Sequence, residues 1–162
     1  MTWQNEVVRI VRFLVNDLEA VSYSDDRLEE TVLVAAQLLI SNVDFDNTYT
    51  VDVDSLSLSP DPTTLSTKDN NFINLLSVQT ACIVLGSEAK TLAAQSYRIK
   101  DGPSSIDISS AYSSVHQLYK EMCDKLLKMI VDYKMGNSVA GHVVMTPTTC
   151  EYLSDNNMRN FY

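Results

Sequence analysis

The residues able to do chemistry are few in this sequence, and their spacing does not assemble them. His116 and His142 stand without a His-Glu-x-x-His pattern, a Cys-x-x-Cys partner or any ligand at metal-site spacing, so they read as surface or packed histidines. Cys123, beside Met122, has His116 two helical turns earlier on a nearby face, which would suit a nucleophile and its base. No electropositive pocket or pair of oxyanion donors can be read around it, and a small buried thiol is the expectation. Asp44, Asp46, Asp52 and Asp54 look superficially like a calcium loop. Counted from Asp44, however, Thr48 holds position five, Tyr49 stands at six in place of Gly, and Ser55 stands at twelve in place of Glu. They read as a solvated acidic loop that guards extended chain with charge. Gly86, Gly102, Gly136 and Gly141 form neither a phosphate cradle nor a Gly-x-Ser-x-Gly elbow. No catalytic residue, metal ligand or cofactor is assigned, and the chain is expected not to be an enzyme.

The elements that would have to position any site are those of one domain. The 162 residues are 45% hydrophobic and 20% charged, ordinary for a chain that buries a core. The net charge of -9 is lopsided: residues 1–66 hold 12 acidic against 3 basic side chains, whereas residues 67–162 hold 9 of each. Nucleic-acid affinity comes largely from Lys and Arg displacing counterions from phosphates, so sequence-specific DNA binding is not expected. Cys82, Cys123 and Cys150 are odd in number and widely spaced, and read as reduced, intracellular thiols. The N-terminus lacks a basic segment followed by an apolar one. Uninterrupted apolar stretches fall far short of about 20 residues, so neither export nor membrane spanning is expected.

Val7, Ile10, Val11, Leu14 and Leu18 keep helical spacing, which predicts a first helix over residues 3–17 with Arg9 and Arg12 on its polar face. Ser24 can cap a second helix whose first turn carries Asp25 and Asp26 and whose buried stripe is Leu28, Val32, Ala35, Leu39 and Val43. Across residues 44–66, Tyr49, Val51 and Val53 alternate with polar residues, as do Leu56 and Leu58. That predicts extended, half-exposed chain ended by Pro60 and Pro62. Ser66-Thr-Lys-Asp69 resembles a capping box opening a third helix over residues 67–94. Phe72, Leu75, Leu76, Ile83, Leu85 and Leu92, mixed with Ala81, Gly86, Ala89 and Ala93, make this the central helix.

Residues 97–108 alternate about Asp101-Gly102, which predicts a short hairpin or hooked loop. A fourth helix is expected from about Ser109 to Gly136, with Val115, Leu118, Tyr119, Met122, Leu126, Met129, Ile130 and Tyr133 on one side. The fold class is therefore mainly α: a four-helix bundle with an extended or short-β loop region and an extended C-terminal arm. Residues 1–136 form the helical core, with 44–66 an acidic extended insert, and 137–162 form the arm.

Val8-Arg-Ile-Val-Arg-Phe-Leu-Val-Asn-Asp17, followed by Tyr23-Ser-Asp-Asp-Arg-Leu28 opening an Ala-rich helix, resembles the N-terminal signature of tailed-phage head-tail connector (adaptor) proteins. Tyr97-Arg-Ile-Lys-Asp-Gly-Pro-Ser-Ser-Ile-Asp-Ile108, then a long helix ending Asp-Tyr-Lys-Met-Gly136, is similar to that family's hooked segment and last core helix. The likeness spans about residues 5–136; the acidic insert and the tail depart from it.

The resemblance implies a virion structural protein of the neck, made in the host cytoplasm. It forms a homo-oligomeric ring, typically twelvefold, that docks on the portal, joins capsid to tail and continues the DNA channel for genome ejection. The implied partners are further copies, the portal and a tail or tail-completion protein, with DNA only in passage and no membrane. Another phage neck or tail-completion protein, or a helical interaction module unrelated to virions, is the alternative.

An acidic half suits a channel that must pass DNA without trapping it. Asp25, Asp26, Glu29, Glu30, Asp52 and Asp54 are candidates to face the lumen or a tail partner, the other reading being a solubilising outer surface. Val139, Val143, Val144, Met145, Tyr152, Leu153, Phe161 and Tyr162 are many apolar groups for a segment without a packing period, and are candidates for an arm that grips a neighbouring subunit or the portal.

Overall fold

The computed structural model describes residues 3–95, 98–101, 104–107 and 109–137, and at 95–111 and 137 its backbone alone. It is mainly helical: α1 (Trp3–Val15), α2 (Asp25–Asn42), α3 (Asn70–Gln95) and α4 (Ser109–Asn137), with two antiparallel two-stranded sheets between them. The chain divides into two units, 1–130 and 131–162; Val131–Asn137, the closing turns of α4, are the described part of the second.

α3 is the central helix, packed along both α1 and α2. Phe72, Ile73, Leu75, Leu76, Val78 and Ala81 are buried on it, and each large side chain so removed from water contributes roughly 1.5–3 kcal/mol. By length and composition Asn70–Ala94 could cross a membrane, with a mean hydropathy of 1.4, which a count of uninterrupted apolar runs does not detect. Here its apolar surface is covered by α1 and α2, as befits the core helix of a bundle. The stripe predicted on α2 is buried in full, from Leu28 to Val43.

α1 ends two residues before the predicted limit. Asn16 turns left-handed, with φ 57°, and the Asp17 N–H donates to the Arg12 carbonyl at 2.9 Å, the closing bond of a Schellman motif. Leu18 therefore leaves the helical stripe and is 55% exposed. α2 begins as predicted, with the Ser24 hydroxyl accepting from the Arg27 N–H. α3 starts three residues later than the capping-box reading. Asp69 is itself the cap, its Oδ1 accepting from the Phe72 N–H at 2.9 Å while its Oδ2 accepts from the Tyr49 hydroxyl at 2.7 Å.

Tyr49 thereby clamps the insert to the core. Its ring stacks on Phe72 with centroids 4.0 Å apart, and Phe45 meets Phe72 edge-on at 5.1 Å. Beyond it β1 (Thr50–Asp52) pairs with β2 (Ser57–Ser59), Val51 opposite Leu58, so the alternation of residue types becomes one face turned inward and one polar face turned out. β3 (Arg98–Asp101) pairs with β4 (Ser104–Asp107), the hairpin predicted about Asp101-Gly102.

α4 follows its predicted range but is covered sparingly. Leu126 is buried, Val115, Tyr119, Met122, Met129, Ile130 and Tyr133 are half-buried, and Leu118 is 53% exposed. The cysteine reading is corrected outright: Cys82 of α3 and Cys123 of α4 are joined in a disulfide, their Cα atoms 5.5 Å apart. Wide sequence spacing concealed the pair, because only the return of α4 along α3 brings the two together. Cys150 lies outside the described residues.

Candidate interaction surfaces

The most elaborate polar cluster sits where α1 turns into α2. Arg12, predicted on a polar face, is buried instead. Its guanidinium donates to the Asp17 carboxylate at 2.9 Å, to the Tyr23 carbonyl at 3.0 Å and to Asp25 Oδ1 at 2.5 Å. Asp17 also accepts the N–H groups of Val21, Ser22 and Tyr23, and its carboxyl is held below the usual value, first by the Ser22 amide, against the opposing effect of burial. The buried Tyr23 hydroxyl donates to Glu88 on α3 at 2.6 Å; burial first, then Glu88, pushes its pKa up. Arg27 lies over the Tyr23 ring. The Arg12 guanidinium and the Tyr23 hydroxyl are both spent on structural acceptors, so the cluster locks this corner.

The acidic candidates separate into two kinds. Asp25 is committed to Arg12, and Asp52 folds its own turn by accepting the N–H groups of Asp54 and Ser55; the Ser55 side chain first, then these amides, lower its pKa. Asp26, Glu30 and Asp54 are exposed, and Glu29 half-buried, with no ion pair holding them among the described residues. Asp25, Asp26, Glu29 and Glu30 share the first turns of α2, whereas Asp52 and Asp54 belong to the β1–β2 hairpin.

Two grooves border α1. One, of about 560 Å³, is lined by Asn5, Val8, Arg9, Phe13 and Leu18, with Phe13 68% exposed. The other, of about 330 Å³ and more apolar, has Leu14 and Val15 of α1 and Leu85 of α3 on one side and Leu118 and Met122 of α4 on the other. Leu118 and Met122, expected together on one side of the fourth helix, line this groove, and Phe13 falls outside the helical stripe predicted for α1. That displacement was the signal available for the phenylalanine.

His116 is exposed and stacks on Tyr112 with centroids 5.5 Å apart, while Cys123 is spent in its disulfide, so the two form no nucleophile and base. Among the described residues no group of three His, Cys, Asp or Glu gathers as a metal site would require. Val139, Val143, Val144, Met145, Tyr152, Leu153, Phe161 and Tyr162 lie outside the described residues.

Geometry and packing define a mainly helical protein with an acidic surface and exposed apolar grooves. No family model, curated protein or solved structure matches the chain.

Proposed function

We propose that this chain is a virion structural protein, a subunit of the head-to-tail connector ring of a tailed phage that docks on the portal and carries the DNA channel to the tail. The observation that carries the reading is the order of elements: two N-terminal helices, a long central helix, the β3–β4 hairpin and a long last helix fall on the segments that resemble the connector family. Three features are in keeping with it. The best-made polar cluster is structural rather than reactive. The exposed carboxylates of Asp26, Glu30 and Asp54 repel phosphate, as a DNA conduit requires. The apolar grooves along α1 and the apolar tail residues want partners, which further copies, the portal and a tail-completion protein would supply.

Electron microscopy of the purified protein and of particles containing it tests the reading. A ring at the portal exit is the expected result. Absence of the chain from the vertex through which the genome leaves overturns it, and carboxylates all on the outer wall of an assembled ring end the lumen assignment.

A further inference from the structure

We infer that Cys82 and Cys123 are a reversible thiol–disulfide site whose oxidation fixes α4 onto α3 and so shapes the apolar groove between α1, α3 and α4. The inference rests on how α4 is held and does not depend on the connector reading. Runs of close backbone approach join α1, α2 and α3; α4 has no such run with them among the described residues. Of its side chains at 112–130, eleven are exposed, seven are half-buried and only Leu126 is buried. A helix seated so lightly depends on a few anchors.

Two of those anchors are adjacent. Tyr119 lies against Gly86, and one turn further along α4 Cys123 bonds Cys82, one turn earlier in α3. The pairs advance in opposite directions, so α4 returns antiparallel to α3 and the crosslink ties it near mid-length. The groove begins within the same turns, with Leu85 between Cys82 and Gly86, and Leu118 and Met122 flanking Tyr119 and Cys123. Leu14 and Val15 of α1 complete the other wall. Fixing α4 fixes the spacing of those walls; releasing it lets them part.

The Cα separation of 5.5 Å lies in the range a disulfide accepts. Cys123 is half-buried and Cys82 retains 8% exposure, so the Cys123 side of the pair lies nearer to solvent. The co-reactant is a low-molecular-weight disulfide. One protein thiolate attacks it and expels a small thiol, and the second thiolate attacks the mixed disulfide and expels the other. The two protein thiols thus lose two protons and two electrons, and the reagent leaves as two thiols. A small dithiol reverses the sequence.

The full chain, equilibrated with oxidised glutathione or with dithiothreitol, provides the test. Maleimide labelling after denaturation, read by intact mass, should find one free thiol in the oxidised form and three in the reduced form, of the three cysteines present. Amides of residues 112–130 should exchange with deuterium at least about tenfold faster after reduction, while those of α2 change much less. A Cys82→Ser/Cys123→Ser double variant should match the reduced form under either reagent. Three free thiols after oxidation, a crosslink that includes Cys150, a disulfide that native dithiothreitol leaves intact, or equal α4 exchange in both states would each overturn the inference. The wild-type comparison decides even if the double variant fails to fold.

Discussion

Arg12 and Asp17 close on each other backbone to backbone at 2.9 Å through the Asp17 N–H and side chain to side chain at 2.9 Å through the ion pair, and the guanidinium also donates to the Asp17 carbonyl at 3.3 Å. The first contact ends α1 and the second turns the chain toward α2, so one pair sets the corner from which both helices reach α3. Asp17→Asn leaves the buried Arg12 with the exposed Asp25 as its remaining charged partner. The substitution should cost about 3 kcal/mol in urea denaturation, the lower end for breaking a buried pair, because Asp25 remains. A loss below about 0.5 kcal/mol would place the corner's strength elsewhere.

The same carboxylate sets an acid dependence. Its folded pKa lies below the ordinary 3.8, so its contribution is present above that value and is lost as pH falls through the folded pKa. The stability gap between the wild type and Asp17→Asn should therefore narrow on acidification below about pH 4. A gap that stays constant down to pH 2 contradicts this.

Tyr23 sets the opposite limit. Its folded pKa is raised above the ordinary 10.0, by burial first and then by Glu88, so its stabilising effect is full below that value and fades as pH climbs toward the folded pKa. Tyr23→Phe keeps the ring under Arg27 but deletes the 2.6 Å bond to Glu88, and should cost about 1–1.5 kcal/mol at neutral pH. It should also flatten the alkaline fall in stability above pH 10 that thermal unfolding of the wild type should show.

Gly86 carries a sign reversal. A Cβ there would sit 2.8 Å from the Tyr119 ring, so the ring must give way. Gly86→Ala should therefore destabilise the wild type by about 1 kcal/mol despite the better helix propensity of alanine. In a Tyr119→Leu background, where the ring is gone, the same change should stabilise by roughly 0.5–1 kcal/mol. A chemical-denaturation cycle measures both, and matching signs would show that the contact is loose.

Much of the fold was legible because its main signals are local. The α2 stripe from Leu28 to Val43 and the Ser24 cap obey helical spacing and capping chemistry, and both appear as read. What the sequence hid is pairing across distance. Arg12 reads as polar because its counter-charge, Asp17, lies beyond the helix end; the Cys82–Cys123 bond spans 41 positions, and Asp69 gains its partners from an insert 20 residues upstream. The candidate surface was half legible. Periodicity flags Leu118 and Met122 as apolar, but only the sparse seating of α4 leaves them lining a groove.

Asp69 joins cap and clamp in one side chain, which makes its two duties separable. Asp69→Ala removes the acceptor for Phe72 N–H and for the Tyr49 hydroxyl and should cost about 2 kcal/mol. Asp69→Asn keeps a capping oxygen and should lose about half as much. Equal losses in thermal unfolding would mean that the clamp, and not the cap, carries the effect.

The tail gives the last prediction. The first unit, residues 1–130, contains the α1–α2–α3 core and the disulfide, so a chain cut after Gly136 retains what holds that core together. The residues removed include Val143, Val144, Met145, Phe161 and Tyr162, whose apolar surface has no packing period to satisfy. If that surface is buried on a neighbouring subunit or on the portal, truncation should leave the unfolding free energy from urea denaturation within about 0.5 kcal/mol of the full chain, with the midpoint little changed, as for other changes outside a core. It should also lower ring yield or portal attachment by at least about tenfold, since a partner face supplies the missing burial. Co-sedimentation with portal-bearing capsids reads the attachment. Undiminished attachment by the truncated chain refutes the arm's role, whereas a lower midpoint together with undiminished attachment would assign the tail to the fold of the single subunit.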